Sequence, residues 1–282
     1  MIRNHRLLLK GLFWGLAGML LSAQVAAADA DRASTVRLAT TTSTENSGLL
    51  SDLLPRFTKA TGYQVHVIAV GTGKALRMGR DGDVDVVLVH APKAEQKFVD
   101  EGFGEQRLPV MYNDFVIVGS HKDPAGLDSA NSAGDALAKV AATGSLFVSR
   151  GDDSGTHKKE LGIWRQAGVT PKGAWYREAG QGMGKVLQMA DELDGYTLTD
   201  RGTWLAYRDK SRLKVVYQGH EELFNPYAII QVSAERYPDL NHAGARALIN
   251  WIRDSEGQQA IAAYRRSGEQ LFNPSAAAVA KR

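Results

Sequence analysis

Hydroxyls, glycines and one arginine gather in four short stretches of the sequence. Thr40-Thr41-Thr42-Ser43-Thr44 places four threonines and a serine side by side after a short apolar run. Neutral hydroxyl donors of this kind suit the oxygens of an anion, although Ser43 or Ser47 could equally cap a following helix. Gly71-Thr72-Gly73-Lys74 invites a phosphate-loop reading, but the upstream glycine position is Ile68 and the residue after Lys74 is Ala75, so the Walker pattern fails. What remains is a small anion at a helix start, where unpaired N–H groups point outward, or an ordinary glycine turn.

The third stretch, Ser149-Arg150-Gly151-Asp152-Asp153-Ser154-Gly155-Thr156-His157, is the most specific. A guanidinium is a fork of donors that keeps its charge, which suits an anion, and Asp152 or Asp153 would hold it in place. The competing reading is a capped helix with a surface ion pair. In the fourth, Gly180-Gln181-Gly182-Met183-Gly184 is followed by Asp194-Gly195-Tyr196-Thr197-Leu198-Thr199-Asp200. Its glycines would let backbone approach a ligand and Tyr196 would wall a cleft, but the spacing is not that of a dinucleotide site. Catalysis has little support. Ser154 and His157 share one helical turn, and neither Gly-x-Ser-x-Gly nor His-Glu-x-x-His occurs, so a hydrolase using the same cleft stays only as an alternative.

The elements that must position these stretches follow from hydrophobic spacing. Strands are predicted at 35–40, 63–70, 84–89, 115–119, 146–149, 196–198 and 227–232. Between them lie helices, among them 49–61 with Pro55 expected to kink it, one capped by Thr72, 93–101, 133–142, 154–166, 183–192 and 201–208. Residues 241–264 read as helix interrupted near Gly257. Strands alternating with helices imply an α/β fold with parallel sheets covered on both faces. One six-residue echo, Glu221-Glu222-Leu223-Phe224-Asn225-Pro226 and Glu269-Gln270-Leu271-Phe272-Asn273-Pro274, reads as turn chemistry around Asn-Pro.

Arg3, Arg6 and Lys10, an apolar run from Gly11 to Leu21 and Ala26-Ala27-Ala28 form a secretory leader with cleavage expected after Ala28. The 34 Lys+Arg and 31 Asp+Glu of the chain become 31 of each once the three basic residues of 1–28 are removed. Nothing in that balance points to nucleic acid. The chain has no cysteine, which excludes disulfides, thiolate metal sites and cysteine nucleophiles.

Taken in order, Thr40 to Ser43, Ala69-Val70-Gly71-Thr72-Gly73, Val87-Leu88-Val89-His90-Ala91, Ser149 to His157 and Tyr196 to Asp200 resemble the tungstate-binding proteins of bacterial ABC transporters. The resemblance covers nearly the whole mature chain. It implies a type II periplasmic binding protein: two α/β lobes, two crossing strands and a ligand closed between the lobes. Lobe one is expected at 29–115 plus 228–282 and lobe two at 116–227. Thr41, Thr42, Ser43 and Thr72 would serve the ligand from lobe one, and Arg150, Ser154, Gly155 and Thr156 from lobe two, with His90 and Tyr196 as further cleft residues. No cofactor and no cation ligands are implied. The implied partners are a tungstate or molybdate oxyanion, two similar tetrahedral dianions, and an inner-membrane permease, with the protein itself periplasmic and monomeric. The runner-up is a phosphate carrier, because Arg150 to Thr156 also resembles the phosphate-binding loop Arg-x-Asp-Gly-Ser-Gly-Thr, with Asp153 at its Gly. Phosphate-binding relatives resemble Val-Asp-x-x-x-Ser-Asp-Ala-Pro at the strand that here reads Val84 to Pro92, so His90 stands where their carboxylate accepts the phosphate proton.

Overall fold

A computed structural model describes residues 34–276 except residue 153. The leader expected at 1–28 lies outside the described residues. In chain order the elements are β1 Thr35–Thr41, α1 Thr42–Asn46, α2 Leu49–Thr61, β2 Gln64–Val70, α3 Thr72–Asp81, β3 Val86–Val89, α4 Pro92–Asp100 and β4 Leu108–Gly119. There follow α5 Ala133–Thr143, β5 Phe147–Ser149, α6 Gly155–Gln166, β6 Tyr176–Glu178, α7 Met183–Glu192, β7 Thr197–Asp200, α8 Arg201–Tyr207 and β8 Lys214–Tyr217. The last are β9 Phe224–Gln231, α9 His242–Arg253, α10 Ser255–Ala263, β10 Arg265–Arg266, β11 Glu269–Gln270 and β12 Asn273–Pro274.

The main sheet runs β12-β4-β9-β3-β1-β2. Only β2-β1-β3 is parallel; β3 meets β9, and β9 meets β4, antiparallel. The expectation of parallel sheets therefore holds at that end and in the separate parallel pair β5-β6, and fails where β9 and β4 lie. The reason is β4, twelve residues long where sequence spacing gave five. Its first half, Leu108 to Asp114, pairs with β9; its second half, Phe115 to Gly119, pairs with β7 and β8. One strand thus serves two groups of partners, and alternation fails to mark its first half because Pro109 and Asn113 interrupt the apolar pattern.

Local chemistry explains the other differences. Helix α2 runs through Pro55 without ending, because Pro55 lies on the exposed face while Leu49, Leu50, Leu53 and Phe57 are buried, so the carbonyl left without a donor faces water. Gly71 is the N-cap of α3 and Thr72 its first residue, correcting the expected Thr72 cap. The break in the long C-terminal helix falls at Asp254, whose extended backbone and side chain cap the next helix by accepting from Gly257 N at 3.0 Å. Gly257 answers a different need, since a Cβ there would lie 2.2 Å from the Trp251 carbonyl oxygen. The Leu-Phe-Asn-Pro echo makes strands, not turns: Asn225-Pro226 and Asn273-Pro274 flank β4, with Pro226 and Asn273 both opposite Tyr112. Pro226 breaks no ladder bond toward β3, because β9 meets β3 only from Ala228 onward.

Three apolar clusters hold the fold. One lies wholly within residues 115–223, around Phe147, Trp164 and Tyr196. A second packs Ala75, Val87 and Phe98 against Ile230 and Val232. The largest reaches from Leu38, Leu53 and Phe57 through Met111 and Val116 to Trp204 and Leu205.

Candidate functional site

Register brings the first group of candidate residues together. Thr41 lies beside Val70, and Thr40 beside Leu88. The carboxyl ends of β1, β2 and β3 therefore present Thr41–Ser43, Gly71–Thr72 and His90 along one edge, where open α/β sheets receive ligands. Thr41 is the N-cap of α1, accepting from Thr44 N at 3.2 Å, and its hydroxyl lies 2.6 Å from that of Thr44 and 3.0 Å from that of Ser43. Only 4 % exposed, Thr41 organises the turn, while Thr42 and Ser43 are exposed and Thr72 is half-buried.

His90 is built into this group. Its Nε2 lies 3.2 Å from Thr41 Oγ1 and 3.4 Å from Ser43 Oγ, its Nδ1 lies 3.1 Å from Asn225 Oδ1, and its ring stacks on Tyr227 at 4.6 Å. Asn225 donates its amide to Asn113 Oδ1 at 2.8 Å, so its own oxygen faces the imidazole. That assigns the proton to Nδ1 and leaves Nε2 to accept from a hydroxyl. Burial holds the His90 pKa below the usual value, against the opposing influence of Asn225 and the charge of Asp200, so the ring is neutral at neutral pH.

The second group lies at the end of β5. Ser149, fully buried, donates its hydroxyl to Glu160 Oε2 at 2.8 Å, and Gly151 N donates to the same hydroxyl at 3.2 Å. Gly151 adopts φ 58°, and a Cβ there would lie 2.7 Å from that of Glu178; no other residue type satisfies both conditions. Arg150 donates Nε and Nη2 to Asp152 Oδ2 at 3.0 and 2.5 Å, while Asp152 Oδ1 accepts from Ser154 N at 3.2 Å. Burial raises the Asp152 pKa, but the bonds from Ser154 and Arg150 outweigh it and hold the carboxyl below its ordinary value. Ser154 caps α6 by accepting from His157 N at 3.3 Å, and the first turn of that twelve-residue helix has no acidic residue. Gly155 is exposed and Thr156 is 8 % exposed. Beneath the turn, buried Glu160 also accepts from Trp164 Nε1 at 3.1 Å and Tyr176 OH at 2.8 Å, and burial raises its pKa.

Two expectations are placed differently. Tyr196 walls no cleft: it is 1 % exposed, donates to Asp123 Oδ1 at 2.7 Å and accepts from Ala125 N at 3.0 Å. Its ring fills the space beside Gly119, where a Cβ would come within 2.5 Å. Gly182 is simply the N-cap of α7. Sequence reasoning missed Asn113, Asn225 and Tyr227, which orient His90; the Asn-Pro echo was the one signal that marked Asn225. Among the described residues no hydrogen bond joins the Thr41 group to the Arg150 group, and no cluster of three or more His, Cys, Asp or Glu residues is placed to hold a metal.

Two sheets sharing one long strand, with neutral and cationic donors at strand ends and a helix start, form a type II periplasmic binding protein fold. A family model described as a PBP superfamily domain matches residues 25–256. The tungstate-binding protein TupA of Peptoclostridium acidaminophilum is 48% identical over 244 residues, 85% of each chain. A putative ABC transporter anion-binding protein of Haloferax volcanii is 50% identical, over 85% of this chain and 71% of its own. The structure of the tungstate-binding protein TupA from Desulfovibrio alaskensis superposes with a TM-score of 0.82 at 46% identity, covering 85% of this chain and 98% of that one. The chain belongs to the family of tungstate-binding proteins.

Proposed function

We propose that this protein captures a tetrahedral oxyanion, tungstate by preference, between two lobes and delivers it to the permease of an ABC importer. The lobes comprise residues 29–115 plus 228–282 and residues 116–227; an apolar cluster confined to 115–223 supports that division. The mature protein begins after residue 28 and acts in the periplasm as a monomer without catalysis. Thr42, Ser43 and Thr72 serve the anion from lobe one, with Thr41 shaping their turn. Arg150, Ser154, Gly155 and Thr156 serve it from lobe two.

The observation that carries this reading is Arg150 beside the start of α6. Asp152 takes both bonds on one oxygen, so the guanidinium keeps further N–H groups for a ligand. The start of a twelve-residue helix without a first-turn carboxylate adds partial positive charge that needs no mobile side chain. A dianion leaving water gives up a large hydration energy. Charge-assisted bonds of about 1.5–3 kcal/mol each must converge to replace it, and lobe closure excludes water while reporting occupancy to a membrane partner.

His90 favours tungstate over phosphate. At neutral pH much phosphate carries a proton, for which a carboxylate is the natural acceptor; tungstate carries none, and a carboxylate would repel it. Here the position is a neutral imidazole whose Nε2 faces hydroxyls. A hydrolase gains nothing from Ser154, which bonds the backbone of His157 while that imidazole lies 3.8 Å from Glu178. Calorimetry of the mature protein against tungstate, molybdate, sulfate and phosphate is the test. Tight tungstate binding with weak phosphate binding is expected; preference for phosphate or sulfate overturns the reading.

A further inference from the structure

The Thr42 and Ser43 hydroxyls ride on α1, a helix of five residues. So short a helix has no stability of its own, and its last carbonyls lack helical partners. Those carbonyls are held from the far end of the chain. Tyr264 OH donates to Ser47 O at 2.6 Å, and Arg266 Nη1 donates to Ser47 O at 2.7 Å and Asn46 O at 3.0 Å. A cation against the C-terminal carbonyls also complements the helix dipole. Fit is tight: Gly48 has φ 81°, and a Cβ there would lie 2.7 Å from the Tyr264 hydroxyl.

The same hairpin, β10 and β11, is fastened on its other side to α8. Arg208 pairs with Glu269 and donates to Ser267 O at 2.9 Å, and Ser267 donates to Leu205 O at 3.3 Å. Helix α8 begins at Asp200, whose carboxylate caps it and acts by charge on His90. The hairpin therefore ties the helix that carries Thr42 and Ser43 to the helix whose cap carboxylate bears by charge on His90.

We infer that the β10–β11 hairpin is the positioning element for the lobe-one half of the oxyanion site, with Arg266 and Tyr264 as positioning residues for α1. The inference rests on the oxyanion reading above. Arg265 supplies the control: it carries the same charge on the same hairpin, but its bonds go only to the nearby carbonyls of Ala262 and Tyr264.

Tungstate calorimetry and amide hydrogen exchange on the full mature protein test the inference. R266A is expected to weaken tungstate binding about tenfold and Y264F about threefold, with R265A within about twofold of wild type. R266K, which keeps the charge but loses the two-carbonyl fork, falls between R266A and wild type. Exchange of the amides at 42–48 quickens in R266A and Y264F without ligand present. Equal losses in R265A and R266A would reduce the effect to distant charge and overturn the inference, as would unchanged exchange at 42–48 or wild-type affinity in both R266A and Y264F. Should R266A fail to fold, Y264F decides, since it removes one hydroxyl and no charge. A wild type that ignores tungstate refutes the oxyanion reading by itself, while the exchange arm still reports whether the hairpin holds α1.

Discussion

The two halves of the candidate site hold their donors by opposite means. Around Thr41 the groups are neutral, interlocked and drawn from distant parts of the chain: β1, the residue after β3, β4 and β9 all contribute to the network of Thr41, His90, Asn113 and Asn225. Around Arg150 the groups are charged and local, with Arg150, Asp152 and Ser154 closing a turn within five residues. A local turn can present full charge because its own carboxylate balances it. A long-range network can fix neutral dipoles in direction without any net charge to desolvate. On this comparison, Arg150 would supply attraction and the Thr41–His90 group would supply discrimination.

The largest expected effect tests whether the halves meet on one ligand. Tungstate at a thousandfold excess over its dissociation constant is expected to stabilise the native protein by about 4 kcal/mol and to reduce its radius in solution scattering. Stabilisation with an unchanged scattering profile would confine the ligand to one half. Next comes the attraction itself. Arg150→Ala is expected to weaken tungstate binding about a hundredfold, the equivalent of about 3 kcal/mol for a forked charge-assisted contact, whereas exposed Lys74→Ala changes it by about twofold or less. Calorimetry showing equal small effects would remove Arg150 from the site. Discrimination follows: His90→Asp is expected to weaken tungstate about tenfold or more and to raise phosphate affinity, and unchanged tungstate affinity would leave His90 as mere packing.

The smallest effects separate the halves by the sign of their pH dependence. The His90 pKa is lowered by burial from 6.5, so the unfolded state takes up the proton first and stability falls as pH drops below about 6.5. His90→Gln is expected to flatten that loss. The Glu160 pKa is raised by burial from 4.5, so the unfolded state releases its proton first and stability falls as pH rises above about 4.5. Glu160→Gln is expected to flatten that limb instead. Denaturant titrations from pH 4 to 8 read both, and slopes of the same sign would contradict the assigned environments.

The sequence made the local half more legible than the distant one. Ser149 to Thr156 announces a cap, a guanidinium and its carboxylate in consecutive residues, and the turn is built as that spacing implies. His90 could be singled out at a strand end, but its partner Asn225 lies 135 positions away and Asn113, which holds Asn225, lies 23 away, and no spacing rule links them. Tyr196 misled because an aromatic next to Gly195 at a strand start reads alike whether it walls a cleft or fills a core; the answer depended on Gly119 and Asp123, which pack from another strand and turn. The parallel end of the sheet followed from strand–helix alternation. The antiparallel part did not, because β4 changes partners midway while its sequence gives no sign of two roles.

The position of β9 carries a consequence for the order in which the molecule can assemble. It lies between β3 and β4 in space but follows them by more than a hundred residues in sequence, and β12 closes the far side of β4 only at residues 273–274. A nascent chain that has not yet reached Phe224 therefore leaves β3 and the first half of β4 bare, without the strand that joins them. Contacts of such long sequence separation form slowly, and bare edges invite pairing with other chains. Completion of the sheet, and with it the closing of Asn225 onto His90, waits for nearly the whole polypeptide, so a truncated product would acquire the Arg150 turn but not its counterpart.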